Sequence, residues 1–211
     1  ATQQGQIKRF ERKELSPWRT YRSKSTKYAK LKDQEDRIVA VAPVVLEDIM
    51  IITQNGYGLR FNIEEVPVVG AKAAGVKAIN LKDGDQVAAA FKSTTPSMYI
   101  LTQRGSLKRM LQDDIPVTSR AKRGLQVLRE LKNKPHRVFK AGPVFTDQGD
   151  FDLFTSQEEV GEQDQILAIT STTGQVTEVD LTQLSISERT SNGSFVNDTI
   201  SDQEVFSATI K

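Results

Sequence analysis

Lysine and arginine are the residues of this sequence whose spacing indicates a chemistry. Arginine follows a glycine by four residues in three similar stretches, TQQGQIKRF, TQNGYGLRF and TQRGSLKRM, at Arg9, Arg60 and Arg109. A separate stretch, SPWRTYRSKSTKYAKL, interleaves five basic residues with aromatic ones. Basic side chains contact phosphates, and aromatic rings pack on sugars. The pattern therefore indicates a surface for a phosphate-bearing polyanion, although we expect Trp18 to fill the core instead.

Catalytic and metal-binding groups are sparse. The sequence has no cysteine and a single histidine, His136, so it cannot build a usual zinc site, and we expect His136 to lie in a turn. The adjacent carboxylates at 158–159 have no basic or nucleophilic residue beside them. The Asp-Gly-Asp sequence at 83–85 indicates a tight turn, because the longer calcium-loop pattern is missing. No catalytic site is predicted.

The charge of the chain is divided between its parts. Residues 1–32 carry ten Lys or Arg against two Glu, and residues 104–140 carry eleven basic against three acidic residues, a net charge of +8 in each. Residues 146–211 carry two basic and thirteen acidic residues, a net charge of −11. This segregation indicates that one arc of the molecule attracts a polyanion and another repels it. Solvated faces of ordinary strands and loops are the alternative interpretation.

A repeated unit of about 50 residues organises the chain. Each copy has a turn glycine preceded by Thr or Ser three positions earlier, and the spacings between these glycines are 51, 49 and 69 residues. The turn glycines are Gly5, Gly56, Gly105 and Gly174. A second glycine follows nineteen residues later in three copies. Such periodicity is typical of repeat architectures. We expect one domain with repeats at approximately 1–46, 47–95, 96–145 and 146–211.

Residues 48–91 indicate what one unit folds into. The apolar run at 49–52, the dipeptide Asn55-Gly56 and the alternating residues after it predict a β-hairpin with a two-residue turn. Residues 76–81 and 87–91 predict a second pair of strands. The unit is then four short strands, the size of a propeller blade, and the fold class is all-β. In the third copy, residues 127–131 alternate less cleanly, so a short helix is an alternative there.

The ends of the array differ from its middle. The first copy has no apolar strand before its turn, so we expect part of its blade to lie upstream of Ala1. The fourth copy follows TDQGDFDLFTSQEEVGEQDQ, which we expect to be an extended acidic connection on the surface. No window approaches 18 uninterrupted apolar residues, and no secretory signal is present. We therefore expect a cytoplasmic protein without a membrane span.

Three recurring features carry a family resemblance. They are the hydroxyl-x-x-Gly hairpin followed by Lys-Arg, the Arg-x-x-x-Gly loop and the Leu-Lys-x-x-Asp turn, repeated at about 50 residues. In these features the whole chain resembles the C-terminal DNA-binding domain of the A subunits of bacterial type IIA topoisomerases. The resemblance implies a propeller-like β-pinwheel of five or six blades, about four of them covered here. It also implies a positively charged rim that binds and bends duplex DNA.

Within that family the chain is more similar to topoisomerase IV members than to gyrase members. Gyrase members carry a basic heptapeptide of the type QRRGGKG, whereas the nearest stretch here, residues 21–27, has none of its glycines, and residues 120–124 are only a partial echo. The resemblance implies that the catalytic residues lie outside this chain, that this domain holds no cofactor, and that ATP and Mg²⁺ serve other parts of the enzyme. The implied partners at the bacterial chromosome are double-stranded DNA, the B subunit of the enzyme and the rest of the dimeric A subunit.

A set of basic residues forms the predicted DNA-binding rim. These residues are Lys8, Arg9, Arg12, Arg19, Arg22, Lys24, Lys27, Arg60, Lys72, Arg104, Lys108, Arg109, Arg120, Lys122 and Arg123. Because the sequence has no base-reading motif, we expect sequence-independent binding that bends the duplex and weakens steeply with salt. The bent segment would be presented for strand passage during decatenation and supercoil relaxation. The alternatives are a gyrase-type DNA-wrapping domain and a protein-interaction propeller.

Overall fold

The structure is a computed structural model that describes residues 1–15, 29–31, 33–44, 46–146, 165–196 and 204–211. These residues form β-strands and short 3-10 helices, with no α-helix among them. The strands are β1 (Gln6–Ile7), β2 (Asp48–Thr53), β3 (Tyr57–Asn62), β4 (Val76–Lys77), β5 (Val87–Lys92), β6 (Ser97–Thr102), β7 (Ser106–Leu111), β8 (Leu125–Gln126), β9 (Val138–Val144), β10 (Ile166–Ser171), β11 (Val176–Asp180), β12 (Ser194–Phe195) and β13 (Val205–Ile210). The 3-10 helices are Arg12–Leu15, Ile63–Glu65 and Gln112–Asp114. Within the described part, no helix has the length and apolar character needed to cross a bilayer.

The structure of the hairpin turns explains why a Thr or Ser precedes each turn glycine by three residues. In the second repeat the Thr53 hydroxyl accepts the N–H of Tyr57 at 3.1 Å, and Gly56 has a φ of 81°. The equivalent hydroxyl acceptors are Thr2, Thr102 and Ser171. Three residues, 54–56, connect β2 to β3, so the predicted two-residue turn is wrong by one residue. A glycine in the left-handed region after a tight turn closes such a three-residue loop.

Three of the sheets combine strands from two repeats. These sheets are β5-β2-β3-β8, β12-β7-β6-β9 and the pair β1-β4, whereas the strands of the sheet β11-β10-β13 all belong to the fourth repeat. The short strands β4, β8 and β12 each belong to the repeat that follows the hairpin they join. The predicted pairing of 76–81 with 87–91 is therefore wrong, because β4 pairs with β1 while β5 pairs with β2. Sequence periodicity located these strands, but a two-residue strand gives no pattern that identifies its partner.

The hydrophobic core lies between successive sheets. Met50 and Ile52 on one face of β2 pack in a cluster with Met98 of the third repeat. Ile51 on the other face packs in a cluster with Ile7 of the first repeat. A third cluster joins the third and fourth repeats. Because β2 faces a neighbouring sheet on both sides, its apolar run is continuous rather than alternating. The sheets are therefore blades of a propeller-like β-pinwheel, which confirms the predicted fold class.

The last strand of each repeat marks the inner side of the blades. β5 and β9 lie at the edges of adjacent sheets opposite the exchanged strands, and they contact each other. The exchanged strands β4, β8 and β12 therefore mark the outer edge. In the third copy β8 ends at Gln126, so the strand predicted over 127–131 is wrong, and Val127 and Leu128 are buried in a stretch that is neither strand nor helix. Residues 147–164 of the predicted acidic connection at 146–165 lie outside the described residues, as does Trp18.

Candidate nucleic-acid interface

The outer edge of three blades is covered by a segment of the next repeat. We call these the rim segments, and they are residues 67–77, 116–126 and 185–195. Near its start each segment forms a parallel bridge with the arginine of the hairpin beneath it. These bridges join Arg9 to Val68, Arg60 to Val117, and Arg109 to Ile186. Each segment ends in β4, β8 or β12. The rim is therefore made by exchanged segments and not by the hairpins themselves.

A glycine in each rim segment permits the close approach of the two backbones. A Cβ atom added at Gly124 would lie 2.4 Å from the carbonyl oxygen of Gly58, and one added at Gly193 would lie 2.5 Å from that of Leu107. Gly75 approaches the first hairpin in the same way, at 2.6 Å. No side chain fits such a gap unless the strand moves. Blade-to-blade packing thus explains the glycine nineteen residues after the turn.

Lys108 is buried, and main-chain carbonyl groups enclose its ammonium group. The residue is 2% exposed, and Nζ donates to the carbonyl oxygens of Val127 at 2.6 Å, Arg189 at 2.6 Å and Ser191 at 2.9 Å. Burial, reinforced by the positive charge of Arg189, lowers the pKa of Lys108 to about 7. The three carbonyl groups favour the ammonium form, because a neutral amine has only two N–H donors. This geometry corrects the prediction that Lys108 contacts DNA, since the side chain anchors the rim segment of the fourth repeat.

Lys8 anchors the rim segment of the second repeat in the same manner. Its Nζ donates to the carbonyl oxygen of Ala71 and, at 2.9 Å, to that of Ala73. These are the rim-segment positions that correspond to the Arg189 and Ser191 carbonyl groups. Burial lowers the pKa of Lys8, opposed in part by the charge of Glu14. We therefore assign Lys8 to holding the rim rather than to phosphate contact.

The arginine of each hairpin is also engaged inside the molecule. Arg9 and Arg109 donate to carbonyl oxygens of the following repeat, Arg109 at 2.7 Å to Thr182. Arg60 forms an ion pair with Asp113 of the third repeat at 2.7 Å, and its side chain is 16% exposed. These guanidinium groups join neighbouring blades. The predicted track of phosphate contacts through Arg9, Arg60 and Arg109 is therefore replaced by a set of inter-blade clamps.

Three exposed basic residues lie on the rim segments, two of them predicted. Lys72 in the first rim segment and Lys122 in the second are exposed. Lys77 in β4 is exposed as well, and reasoning from the sequence missed it. Its place two residues after Gly75, within the repeat register, was the signal that could have found it. Lys122 Nζ donates to the Thr118 hydroxyl at 2.6 Å, which keeps the side chain on its own segment.

Arg120 and Arg123 are half-buried and stiffen the second rim segment. Arg120 donates at 3.0 Å to the carbonyl oxygen of Glu65 and at 2.8 Å to that of Lys77. The guanidinium carbon of Arg123 lies 4.2 Å from the ring centre of Tyr57, and Arg123 also donates to the Tyr57 hydroxyl. Both guanidinium groups lie at the rim, and some of their N–H groups donate to other parts of the molecule. Both residues stay in the candidate set.

The remaining predicted residues lie elsewhere. Arg12 is exposed in the first 3-10 helix, outside the rim segments. Arg104 donates at 3.0 Å to the Lys134 carbonyl oxygen and lies 3.2 Å from His136 Nε2. Four predicted residues lie outside the described part of the chain: Arg19, Arg22, Lys24 and Lys27.

His136 is buried, with 7% exposed, and does not lie in an open turn. In the first two repeats Asp36 and Asp85 accept a main-chain N–H of the neighbouring hairpin turn at 2.9 Å. His136 occupies the corresponding place in the third repeat, with Nδ1 3.2 Å from the Thr102 hydroxyl oxygen. Burial, and then the charge of Arg104, lowers the pKa of His136. Among the described residues no cluster of His, Asp and Glu could hold a metal ion.

Comparison with known proteins identifies the family. A sequence profile described as the DNA gyrase C-terminal domain, beta-propeller, matches residues 1–44, 47–94 and 97–144. The chain belongs to this family. It is 63% identical over 209 residues to the A subunit of DNA topoisomerase 4 from Streptococcus pyogenes, a match that covers 98% of this chain and 26% of the relative. The corresponding protein of Streptococcus pneumoniae is 63% identical over 207 residues, with 98% and 25% covered.

A solved structure agrees with this family membership. The crystal structure of the C-terminal domain of DNA topoisomerase IV matches with a TM-score of 0.81 and 31% identity, over 99% of this chain and 59% of that chain. The predicted resemblance to topoisomerase IV members is confirmed. The chain spans about a quarter of the length of the curated relatives it matches.

Proposed function

We propose that the rim segments bind duplex DNA without reading its sequence and bend it around the molecule. The observation that carries this proposal is the exchange of segments, which places exposed cations on the outer edges of adjacent blades. Lys72 and Lys77 stand on one rim segment and Lys122 on the next. Ammonium groups neutralise phosphates and release condensed counterions, a gain that does not depend on base sequence. The name of the relatives, DNA topoisomerase 4, agrees with DNA as the polyanion.

Two acidic residues beside the second rim segment, Asp113 and Glu65, make contacts within the molecule. Asp113 forms its ion pair with Arg60 at 2.7 Å. The carboxylate of Glu65 accepts the main-chain N–H of Arg120 at 3.0 Å. The Arg60 guanidinium compensates the charge of Asp113, so that carboxylate repels a phosphate less than a free one would. The segment between these residues can therefore approach a duplex.

In the longer protein, the bent duplex would be presented to the strand-breaking part of a type II topoisomerase. The outcome would be strand passage in decatenation and supercoil relaxation at the bacterial chromosome. We assign binding and bending to this domain, with no cofactor of its own. The remaining steps would be supplied by ATP, by Mg²⁺, by the B subunit of the enzyme, and by the rest of the dimeric A subunit.

Charge reversal on the rim tests the proposal. The variant Lys72→Glu/Lys122→Glu should lower the affinity for random-sequence duplex at least about tenfold in a mobility-shift assay, because two phosphate contacts become repulsive. The matched control is Lys82→Glu/Lys132→Glu, which reverses two exposed lysines outside the rim segments. Equal losses in the two double variants would show that net charge, and not the rim, governs binding.

A further inference from the structure

The rim segments expose one β-branched residue each, at equivalent positions. Val68, Val117 and Ile186 all follow a turn glycine by twelve residues, and they are 54%, 51% and 48% exposed. Their main chains are fixed in the same way in all three copies. The residue after each donates its N–H to the carbonyl oxygen of the hairpin arginine, at 2.9, 2.9 and 2.8 Å. The three side chains therefore project from a pinned backbone.

The repetition of this exposure calls for a physical reason. A single exposed aliphatic residue is ordinary on a protein surface. Here it recurs at the same place on three successive rim segments. The second rim segment also exposes Leu125, at 41%. The first two of these segments carry exposed cations too, Lys72 shortly after Val68 and Lys122 shortly after Val117.

We propose that Val68, Val117 and Ile186 contact the deoxyribose rings of the bound duplex. This inference rests on the proposed function and adds a second kind of contact to it. Deoxyribose presents an apolar edge between successive phosphates, so a surface that alternates cations with aliphatic groups matches the alternation of phosphate and sugar. The neighbouring cations favour a nucleic acid over an apolar protein partner.

The geometry suits such a contact. Valine has a single side-chain torsion with one strongly preferred rotamer, so little conformational entropy is lost when it is covered. The hydrogen bond that follows each residue already fixes its backbone. The contact buries apolar surface and displaces no counterion, so it adds affinity that does not depend on salt.

A comparison of two polyanions separates sugar contact from charge. In the full chain, Val117→Ser should weaken binding to random-sequence duplex roughly tenfold, by fluorescence anisotropy, with the salt slope unchanged. Its affinity for inorganic polyphosphate, which has no sugar, should equal that of the wild type. Lys122→Gln should instead weaken both complexes and reduce the magnitude of the duplex salt slope by about 0.9.

The control is Val41→Ser, which alters an aliphatic residue that is 79% exposed. Val41 follows the bridge between Thr2 and Ile38 and lies outside the rim segments. It should leave both affinities unchanged. Thermal unfolding shows whether each variant is folded. If Val117→Ser is unfolded, Val117→Thr, which keeps the branched shape, replaces it. The expected result is the same: weaker binding to duplex and unchanged binding to polyphosphate.

The outcomes distinguish this inference from the proposed function. If Val117→Ser binds duplex as tightly as the wild type, the sugar contact is refuted and the ionic rim stands. If it loses affinity equally for duplex and polyphosphate, the sugar contact is also refuted. If the wild type fails to bind duplex at all, the proposed function itself is overturned.

Discussion

A buried ammonium group is tolerated in this fold because carbonyl groups replace its water. Lys108 has three carbonyl oxygens within 2.9 Å, contributed by Val127, Arg189 and Ser191. Two of these belong to the rim segment of the fourth repeat. In sequence Lys108 cannot be distinguished from the exposed Lys122, for which we propose phosphate contact, because the residue type carries no information on burial. Only the exchanged segment, which closes over the side chain, separates the two roles.

Removal of the Lys108 ammonium group should destabilise the chain. Lys108→Met leaves buried carbonyl oxygens without a donor, and we expect a loss of about 3 kcal/mol in the free energy of unfolding. Urea unfolding followed by circular dichroism measures it. Lys132→Met, at an exposed lysine of the same repeat, should stay within about 0.5 kcal/mol of the wild type. Indistinguishable losses would contradict the anchoring role.

The same residue gives the stability a dependence on pH. The pKa of Lys108 falls from an ordinary 10.5 to about 7 in the folded chain, so between these values the unfolded chain binds more protons. Stability should therefore rise as pH increases from about 7, by at most about 1.4 kcal/mol per pH unit, and this pH dependence should vanish below about pH 7. Urea titrations from about pH 6 to 9.5 should show the rise in the wild type and its loss in Lys108→Met. Parallel curves for the two proteins would be inconsistent with this assignment.

At the scale of elements, the strands were predictable and their partners were not. The turn glycine, the hydroxyl before it and the apolar run of β2 are local patterns, and they predicted the hairpins. The pairing of β4 with β1 depends on a two-residue strand and on Gly75. Gly75 is needed because a Cβ atom at that position would clash with the backbone of another repeat. For the same reason the sequence identified the basic residues but did not show which of them are buried and which are exposed. Whether a lysine points into a rim segment or away from it is decided by the neighbouring repeat.

A pair of glycines tests the exchange of segments. Gly124 and Gly84 both have positive φ, 84° and 76°, but a Cβ at Gly124 meets the Gly58 carbonyl oxygen while one at Gly84 meets nothing within 4 Å. Gly84→Ala should cost about 1 kcal/mol, from backbone strain alone. Gly124→Ala should cost at least about 2 kcal/mol more, because the rim segment must move. Urea unfolding of the two variants gives both values, and equal costs would argue against close packing of the second rim segment.

At the scale of the whole molecule, exchanged segments turn separate blades into one charged edge. Each rim segment is bonded to the hairpin of the preceding repeat, so the exposed cations of the first two segments hold fixed positions relative to the neighbouring blade. The exposed cations lie on the first two rim segments, whereas the third belongs to the acidic residues 146–211 and exposes Glu188. A duplex that follows the edge must curve with it, which is the physical basis of the proposed bending.

The salt dependence of duplex binding tests the central proposal most directly. Binding through about six to ten phosphates should give a log–log slope of affinity against salt between about −5 and −9. Lys72→Gln/Lys122→Gln should reduce the magnitude of that slope by about 1.8, and Lys82→Gln/Lys132→Gln should leave it unchanged. Anisotropy titrations with random-sequence duplex over a range of salt concentrations give all three slopes. A wild-type slope near zero, or equal slopes in the wild type and the rim variant, would contradict an ionic rim.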